Sequence, residues 1–333
     1  MILRRLRYLF LALLLLCATE VSAETPRLYV SDFFQNAIKR YDSVTGAFVD
    51  AFVAPNSGGL NGPIGVAFGA DGNLYVASVF SNAVKRYDGV TGAYLGDLAT
   101  AASGVNGPDS LLFAPNGSLL VSNSGSNTIQ RYDVLTDSLL GNFAVGGGLN
   151  APSAMTFGLD GNLYVCNIGS NEVKRFNGIT GEFIDNFVGV SGGLDTPDGI
   201  AFSPSGDLFV SNFGSSTVKR YDGTTGAFVS DFVTAGQNGA PFETAGVTFG
   251  PDGNLYVANW NLGRVERFDG ATGAYLGSFT GNSGQLFSSS NVVFAPVTVP
   301  EGSSMGFLLL AGGMLCVLFP RARAWSASSR FGA

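Results

Sequence analysis

The stretch that decides the fold is PDGIAFSPSGDLFVSNFGSSTVKRYDGTTGAFVSDFV, residues 197–233. It holds four short runs of apolar and β-branched residues, at 199–202, 208–211, 217–221 and 228–232, separated by Ser-Gly and Asp-Gly-Thr-Thr-Gly segments. Runs of this length between turn residues predict antiparallel β-strands joined by hairpins, and nothing here has helical periodicity. We therefore expect a four-stranded unit, with strands named a to d in chain order.

The same unit recurs along the chain. Leu-Tyr-Val or a close variant starts at residues 28, 74, 119, 163, 208 and 255, and an Arg-Tyr or Arg-Phe pair starts at residues 40, 86, 131, 175, 220 and 267. Both motifs advance with the same spacings of 44 to 47 residues. Four-stranded antiparallel units at this period are typical of a β-propeller.

The order of strands at the two ends predicts how the ring closes. The array begins on a strand b at Leu28 and finishes on a strand a at 291–294, with five complete units between them. The final strand a is expected to complete a sixth blade with the first strands b, c and d, which leaves no open seam. The predicted fold is an all-β, six-bladed propeller over residues 24–298.

Three motifs give the ring a family resemblance. Pro-Asp-Gly-Ile-Ala-Phe (197–202), Gly-Asn-Leu-Tyr-Val-Ala-Asn (253–259) and Asn-Ala-Val-Lys-Arg-Tyr-Asp (82–88) resemble NHL-type six-bladed propellers and, more distantly, gluconolactonase- and regucalcin-like proteins. Such motifs specify blade geometry, so the resemblance implies a fold and not an activity.

Both chain ends carry features of an exported protein. Residues 1–23 combine three arginines, a short apolar run and a Val-Ser-Ala end, as in a signal peptide; an N-terminal anchor is the alternative. Residues 299–333 begin with Val299, Pro300 and Glu301 and continue with an apolar stretch, predicted as a helix, and two arginines. This order resembles the PEP-CTERM sorting signal, which implies an exosortase-type enzyme as partner and a cell-envelope destination; a plain membrane anchor is the alternative.

Composition excludes several function classes. The chain has no histidine, which removes Ser-His-Asp triads, histidine proton shuttles and His-ligated metal sites. Residues 23–300 keep 12 of the 18 basic residues and 23 of the 25 acidic ones, a net charge of −11, which disfavours a nucleic-acid partner. The same segment keeps a single cysteine, Cys166, so it has no internal disulfide.

Polar residues end most strands b. Asp32, Asn123, Asn167, Asn212 and Asn259 occupy this position, and Ser78 stands there in the second unit. They either cap local turns or form a ring of oxygen atoms at the channel mouth, where Asp109 and Asp198 add carboxylates. Oxygen ligands of this kind suit Ca²⁺, with Asp32, Asp109 and Asp198 as its candidate ligands. The family resemblance implies a metal at this place, as lactonase-type relatives hold one there.

Aromatic residues follow the strand b ends. Phe33, Phe80, Phe213 and Trp260 are expected near the same mouth, where they either pack under their own loops or offer flat faces to a sugar. With no catalytic set assigned, the sequence favours an exported, non-catalytic module that binds polysaccharide or an envelope protein. The alternatives are a Ca²⁺-dependent lactonase or hydrolase and a purely structural surface protein.

Overall fold

The computed structural model describes residues 26–144, 146–237, 243–281, 286–295, 307–310 and 313–316. The chain divides into two compact units, Met1–Val297 and Thr298–Ala333. The first unit contains six four-stranded antiparallel sheets, which confirms the six-bladed propeller. The signal-peptide segment and the sorting residues Val299, Pro300 and Glu301 lie outside the described residues.

Each sheet is one blade, and its strands a to d run from the axis outward. The strands in chain order are, for blade 1, β1 (Arg27–Asp32), β2 (Ala37–Asp42) and β3 (Phe48–Val53); for blade 2, β4 (Pro63–Phe68), β5 (Leu74–Ser78), β6 (Ala83–Tyr87) and β7 (Tyr94–Ala99); for blade 3, β8 (Pro108–Phe113), β9 (Leu119–Asn123), β10 (Thr128–Asp133) and β11 (Ser138–Ala144); for blade 4, β12 (Pro152–Phe157), β13 (Leu163–Asn167), β14 (Glu172–Phe176) and β15 (Phe183–Val188); for blade 5, β16 (Pro197–Phe202), β17 (Leu208–Asn212), β18 (Thr217–Tyr221) and β19 (Phe228–Val233); for blade 6, β20 (Thr244–Phe249), β21 (Leu255–Asn259), β22 (Arg264–Phe268) and β23 (Tyr275–Ser278); and last, β24 (Ser289–Phe294). Short 3-10 turns span Ser57–Gly59, Val79–Ser81, Ala101–Ser103, Ile168–Ser170 and Val190–Gly192.

The two ends of the propeller pair with each other. Strand β24 lies antiparallel to β1, with Leu28 opposite Phe294 and Val30 opposite Val292, and serves as strand a of blade 1. Closure through the last and first strands is therefore confirmed. Because the strand a of every blade contacts the strands a of both neighbouring blades, the ring of described strands has no open seam.

Asparagines between strands b and c join blades 1, 2, 3 and 4 each to the following blade. Each adopts a left-handed backbone conformation and accepts a hydrogen bond, through Oδ1, from an N–H just before strand a of the following blade. The left-handed region is one that asparagine tolerates better than most residues. The pairs are Asn36 with Gly62, Asn82 with Gly107, Asn127 with Ala151 and Asn171 with Thr196.

The core lies between blades. Each apolar cluster combines residues of two neighbouring blades, as where Tyr75 of blade 2 packs with Leu119 of blade 3. The aromatic residue that follows each strand c arginine is fully buried. Cys166 is free and buried in such a cluster, where burial, with the nearby charges of Asp198 and Asp109, raises the pKa of its thiol. It acts as a small apolar side chain.

The second unit differs from its prediction. Where the sequence predicted an apolar helix, Phe307–Leu310 and Gly313–Cys316 form two antiparallel strands. The predicted helix is wrong for these residues; a glycine at position 313 disfavours a continuous helix. In the part of the chain that the structure describes, no helix is long and apolar enough to cross a membrane.

Candidate binding face and central channel

The b–c turns and d–a loops share one face of the ring, which we call the loop face. Five aromatic residues meet on it, and we call them the mouth cluster: Phe33, Phe34, Phe80, Phe213 and Trp260. Ring centroids lie 4.8 Å apart for Phe33 and Trp260, 5.3 Å for Phe33 and Phe80, and 6.1 Å for Phe213 and Trp260. The cluster therefore runs without interruption through blades 5, 6, 1 and 2.

These distances place the cluster at the channel mouth. Phe213, Trp260 and Phe33 occupy equivalent positions in successive blades. Around a six-fold ring, the spacing between equivalent neighbours equals the radius, so separations of 4.8 and 6.1 Å put these rings about 5–6 Å from the axis.

The cluster is anchored from below and open above. Phe33, Phe213 and Trp260 are half-buried, and each donates its backbone N–H to the carbonyl just before its own strand a, at 2.9 to 3.1 Å. Phe34 and Phe80 are each 64% exposed. A rigid aromatic floor with two exposed rings can contact a ligand at little cost in side-chain entropy.

The strand b ends are buried beneath this face. Asp32, Ser78, Asn123, Asn167, Asn212 and Asn259 are all fully buried. In blades 2 to 5 the side-chain oxygen accepts an N–H from the d–a loop of the same blade, at 2.8 to 3.0 Å. Asp32 accepts the N–H of Phe287 at 3.2 Å, and Asn259 accepts the N–H of Leu262 in the b–c turn, also at 3.2 Å. These polar residues hold the loops in place.

The loop residues that they hold form a second, exposed polar set, which we call the polar arc: Asn61, Asn106, Asn150 and Asp195. Each donates its N–H to a buried strand b end, and its carbonyl accepts an N–H from the following b–c turn at 3.0 to 3.2 Å. The backbone N–H and carbonyl of each residue are thus held by hydrogen bonds, while the residue remains exposed to solvent.

Glycines in the b–c turns make room for the polar arc. A Cβ at Gly169 would lie 2.3 Å from the side chain of Asn150, and a Cβ at Gly214 would lie 2.6 Å from that of Asp195. The polar arc is not among the residues expected from the sequence. Its signal was an Asx residue two positions before the proline that begins strand a, as in Asn61-Gly62-Pro63 and Asn106-Gly107-Pro108.

Asp109 and Asp198 lie in the central channel below this face. The channel has a volume of about 390 Å³, and both residues stand second in their strands a, at the end nearest the loop face. Burial, together with the charge of Asp198, raises the pKa of Asp109 well above its usual range. Burial raises the pKa of Asp198 to about 6. The Asp198 carboxyl therefore titrates near pH 6.

Asp32 does not join this pair. Its buried carboxylate lies 3.0 Å from Nζ of Lys39, and it also accepts backbone N–H groups on the loop face. Its charge is thus already compensated within blade 1. Among the residues that the structure describes, no group of three acidic or cysteine side chains is arranged to hold a metal ion.

Comparisons with known proteins agree on the fold. No family model matches the chain, and no curated protein matches its sequence. Among solved structures, one of a nidogen/laminin complex matches with a TM-score of 0.66 and 15% identity, covering 82% of this chain and all of that one.

Two bacterial structures match over similar lengths. A protein of unknown function from Bacteroides caccae has a TM-score of 0.63 and 19% identity, covering 81% of this chain and 99% of its own. A catalytically inactive histidine-to-alanine variant of virginiamycin B lyase from Staphylococcus aureus has a TM-score of 0.59 and 15% identity, covering 83% and 93%. At these identities the likeness shows a shared β-propeller fold, and no more.

Proposed function

We propose that this protein is an exported, surface-exposed module that binds polysaccharide on its loop face and catalyses no reaction there. The observation that supports this is the pair of surfaces on that face, one aromatic and one polar, which meet at blades 2 and 5. The mouth cluster occupies blades 5, 6, 1 and 2, and the polar arc occupies blades 2 to 5. Sugars present apolar C–H faces and hydroxyl edges, which match an aromatic surface beside amide and carboxylate groups.

The composition supports a binding role over a catalytic one. The lyase variant among the similar structures is described as inactive after one histidine is replaced, whereas this chain has no histidine at all. A reaction that depends on a histidine acid or base therefore has no equivalent here. The fold itself carries no activity from one protein to another.

A matched pair of variants tests the proposal. Phe80→Ala removes a 64% exposed ring of the mouth cluster, and Phe228→Ala removes a 51% exposed ring from the outer strand of blade 5. Against a panel of neutral and acidic polysaccharides, the first change should weaken binding about 3- to 10-fold and the second should not. Equal affinity of both variants and the wild type for every bound glycan would contradict the proposal.

An envelope protein is the other ligand class that suits this face. The nidogen/laminin complex shows that a propeller of this shape is found in a complex with another protein. The Phe80→Ala variant should still bind a protein partner only if that partner docks outside the mouth cluster. Capture of a partner that is lost in Phe80→Ala, with no glycan bound, would replace polysaccharide with protein as the ligand.

One observation favours a second function, a Ca²⁺-dependent lactonase or hydrolase. Asp109 and Asp198 face the same channel, and two carboxylates sharing a site attract a divalent cation. Bound Ca²⁺ would have to stabilise the native state. A rise in melting temperature with millimolar CaCl₂, absent in Asp198→Asn, would support this function, whereas no response in the wild type would exclude it.

Export and sorting belong to the same proposal. Residues 1–23 and 299–333 have the charge and apolar patterns of a signal peptide and a PEP-CTERM-like sorting signal, which supports cleavage before Glu24 and processing near Pro300-Glu301. Mass spectrometry of protein recovered from the envelope of an exosortase-containing bacterium should find both new ends. An intact N-terminus there would contradict export by this route.

A further inference from the structure

Another candidate site lies away from the loop face, on strand c of each blade. Six arginines recur there, and their surroundings differ from blade to blade. The comparison among blades shows what each guanidinium is built to hold, independently of the proposed function above. The six are Arg40, Arg86, Arg131, Arg175, Arg220 and Arg267.

Two blades show a complete site. In blade 1 the Nε of Arg40 donates to Oδ1 of Asp50 at 3.0 Å and its Nη2 donates to Oδ2, and Asp50 lies directly opposite on strand d. In blade 4 Arg175 makes the same two-point contact with Asp185, with Nε to Oδ1 at 3.1 Å. A carboxylate on strand d is therefore the natural partner of this guanidinium.

Other blades supply the carboxylate from elsewhere. The Nε of Arg220 donates to Asp207 at 2.9 Å, and Nη1 of Arg86 donates to Asp137 of the next blade at 2.8 Å. Arg267 faces Gly277 on strand d, but it donates a hydrogen bond to the hydroxyl oxygen of Tyr256, and its charge helps to lower the pKa of Asp252.

Arg131 of blade 3 lacks all of these partners. Gly141 stands opposite it on strand d, Leu120 replaces the strand b tyrosine, and Asn116 replaces the a–b turn aspartate. Gly181 stands in blade 4 where Asp137 stands in blade 3. Within the described ranges, the buried Nε of Arg131 has no hydrogen-bond acceptor, and the guanidinium lies 5.8 Å from the centre of the Phe143 ring.

The place of the missing side chain is open. A Cβ at Gly141 would meet no other atom within 4 Å. The gap corresponds to the CH₂COO⁻ group that Asp50 and Asp185 supply in their blades. Because a buried donor without an acceptor is costly, a carboxylate entering from solvent gains the contact that the chain itself does not provide.

We propose that Arg131 is the centre of a carboxylate-binding site on blade 3. The ligand is a carboxylate group of acetate size, carried by an acidic sugar or by an acidic side chain, held by the guanidinium over Phe143 and beside Gly141. Arg267, which shares an unpartnered Nε but lies near Asp252, forms a weaker second site.

Nuclear magnetic resonance of the arginine Nε–H groups tests this site in the full-length protein labelled with ¹⁵N-arginine. Sodium acetate, titrated against sodium chloride at constant ionic strength, should shift the Arg131 signal in a saturable way and leave Arg175 and Arg40 unchanged. No saturable shift at Arg131, or an equal shift at Arg175, would overturn the proposal.

Two variants sharpen the test. Asn116→Asp preserves the oxygen that accepts the N–H of Ser118 at 3.1 Å. It also places a carboxylate at the position equivalent to Asp160 of blade 4, which lies 3.9 Å from Arg175. The new carboxylate should therefore weaken acetate binding several-fold. Arg131→Gln should abolish binding. Acetate affinity unchanged in a folded Asn116→Asp protein would contradict the assignment. Glucuronate and N-acetylglutamate, compared in the same titration, show whether a sugar acid or an acidic side chain is preferred.

Discussion

Replacing Asn167 by alanine should weaken both the fold and the loop face. The Asn167 side chain is fully buried; its Oδ1 accepts the N–H of Asn150 at 2.8 Å, and its amide nitrogen donates to Ser170 and to the carbonyl of Gly148. Alanine leaves the Asn150 N–H without its acceptor and opens a small void. Leaving such a donor unpaired costs about 1–3 kcal/mol and each lost hydrogen bond about 1 kcal/mol, so we expect a loss of about 2–4 kcal/mol.

Blade 2 offers a matched control for this variant. Ser78 occupies the same position there, and its Oγ accepts the N–H of Asn61 at 2.9 Å. Asn167→Ser should therefore retain the contact to Asn150 and lose less than half as much stability as Asn167→Ala. Urea denaturation followed by far-ultraviolet circular dichroism measures both. The reasoning is refuted if Asn167→Ala unfolds within 0.5 kcal/mol of wild type, roughly the scatter expected of a neutral surface change, or if serine is as damaging as alanine.

The remaining predictions concern the channel and the turns. Burial raises the pKa of Asp198 to about 6, so its ionisation destabilises the fold as pH rises from about 4 to above 6. Asp198→Asn should therefore raise the free energy of unfolding at pH 8 by up to about 3 kcal/mol and leave it unchanged near pH 4. Urea titrations at the two pH values measure the difference. Hydrogen bonds from the Thr91 side chain and backbone lower the pKa of Asp88, so the ionised Asp88 stabilises the fold above about pH 4 and this stabilisation is lost as pH falls below it. Asp88→Asn should reduce the sensitivity of the melting temperature to acid, because an asparagine forms the same turn at Asn177. Gly92→Ala should destabilise far more than Gly72→Ala in thermal unfolding, since both have positive φ but only the Gly92 Cβ would clash, at 1.8 Å from a carbonyl oxygen of the neighbouring blade.

The ring and its closure could be predicted because their signals are local and repeated. A run of four to six apolar residues bounded by Asp-Gly or Thr-Gly predicts a β-strand from its local sequence alone, and six copies of the same motif predict six blades. The start on strand b at Leu28 and the end on a strand a then leave one way to pair the termini. The apolar C-terminal segment had no such repeat to constrain it, and there the predicted helix is wrong for the described residues.

The candidate site was predictable only in part. The mouth cluster follows from position, since its aromatic residues come one or two places after strand b in blades 5, 6, 1 and 2 and contact one another there. The strand b ends were offered either as turn caps or as a ligand ring, and the structure buries them with their oxygens bound to loop N–H groups. Burial at this depth depends on how the d–a loops fold back over the blades. That long-range packing has no signature in the strand b sequence.

Arg131 shows a second limit of the repeat pattern. The six strand c arginines share a similar sequence context, each preceding a tyrosine or phenylalanine, and a residue present in every blade was interpreted as scaffold. Among the described residues, five of them have an acidic or tyrosine partner close by, and Arg131 does not. The difference comes from four substitutions spread over two blades, which only the three-dimensional arrangement brings together.

The measurement that tests the central claim most directly is the fluorescence of Trp260 during a polysaccharide titration. The chain has two tryptophans, so Trp325→Phe leaves Trp260 as the only one. A polysaccharide held on the loop face should change the Trp260 emission in a saturable way, and adding Phe80→Ala should shift the midpoint to about 3- to 10-fold higher concentration. A glycan that binds without changing Trp260 emission, with a midpoint that Phe80→Ala leaves untouched, would contradict the account.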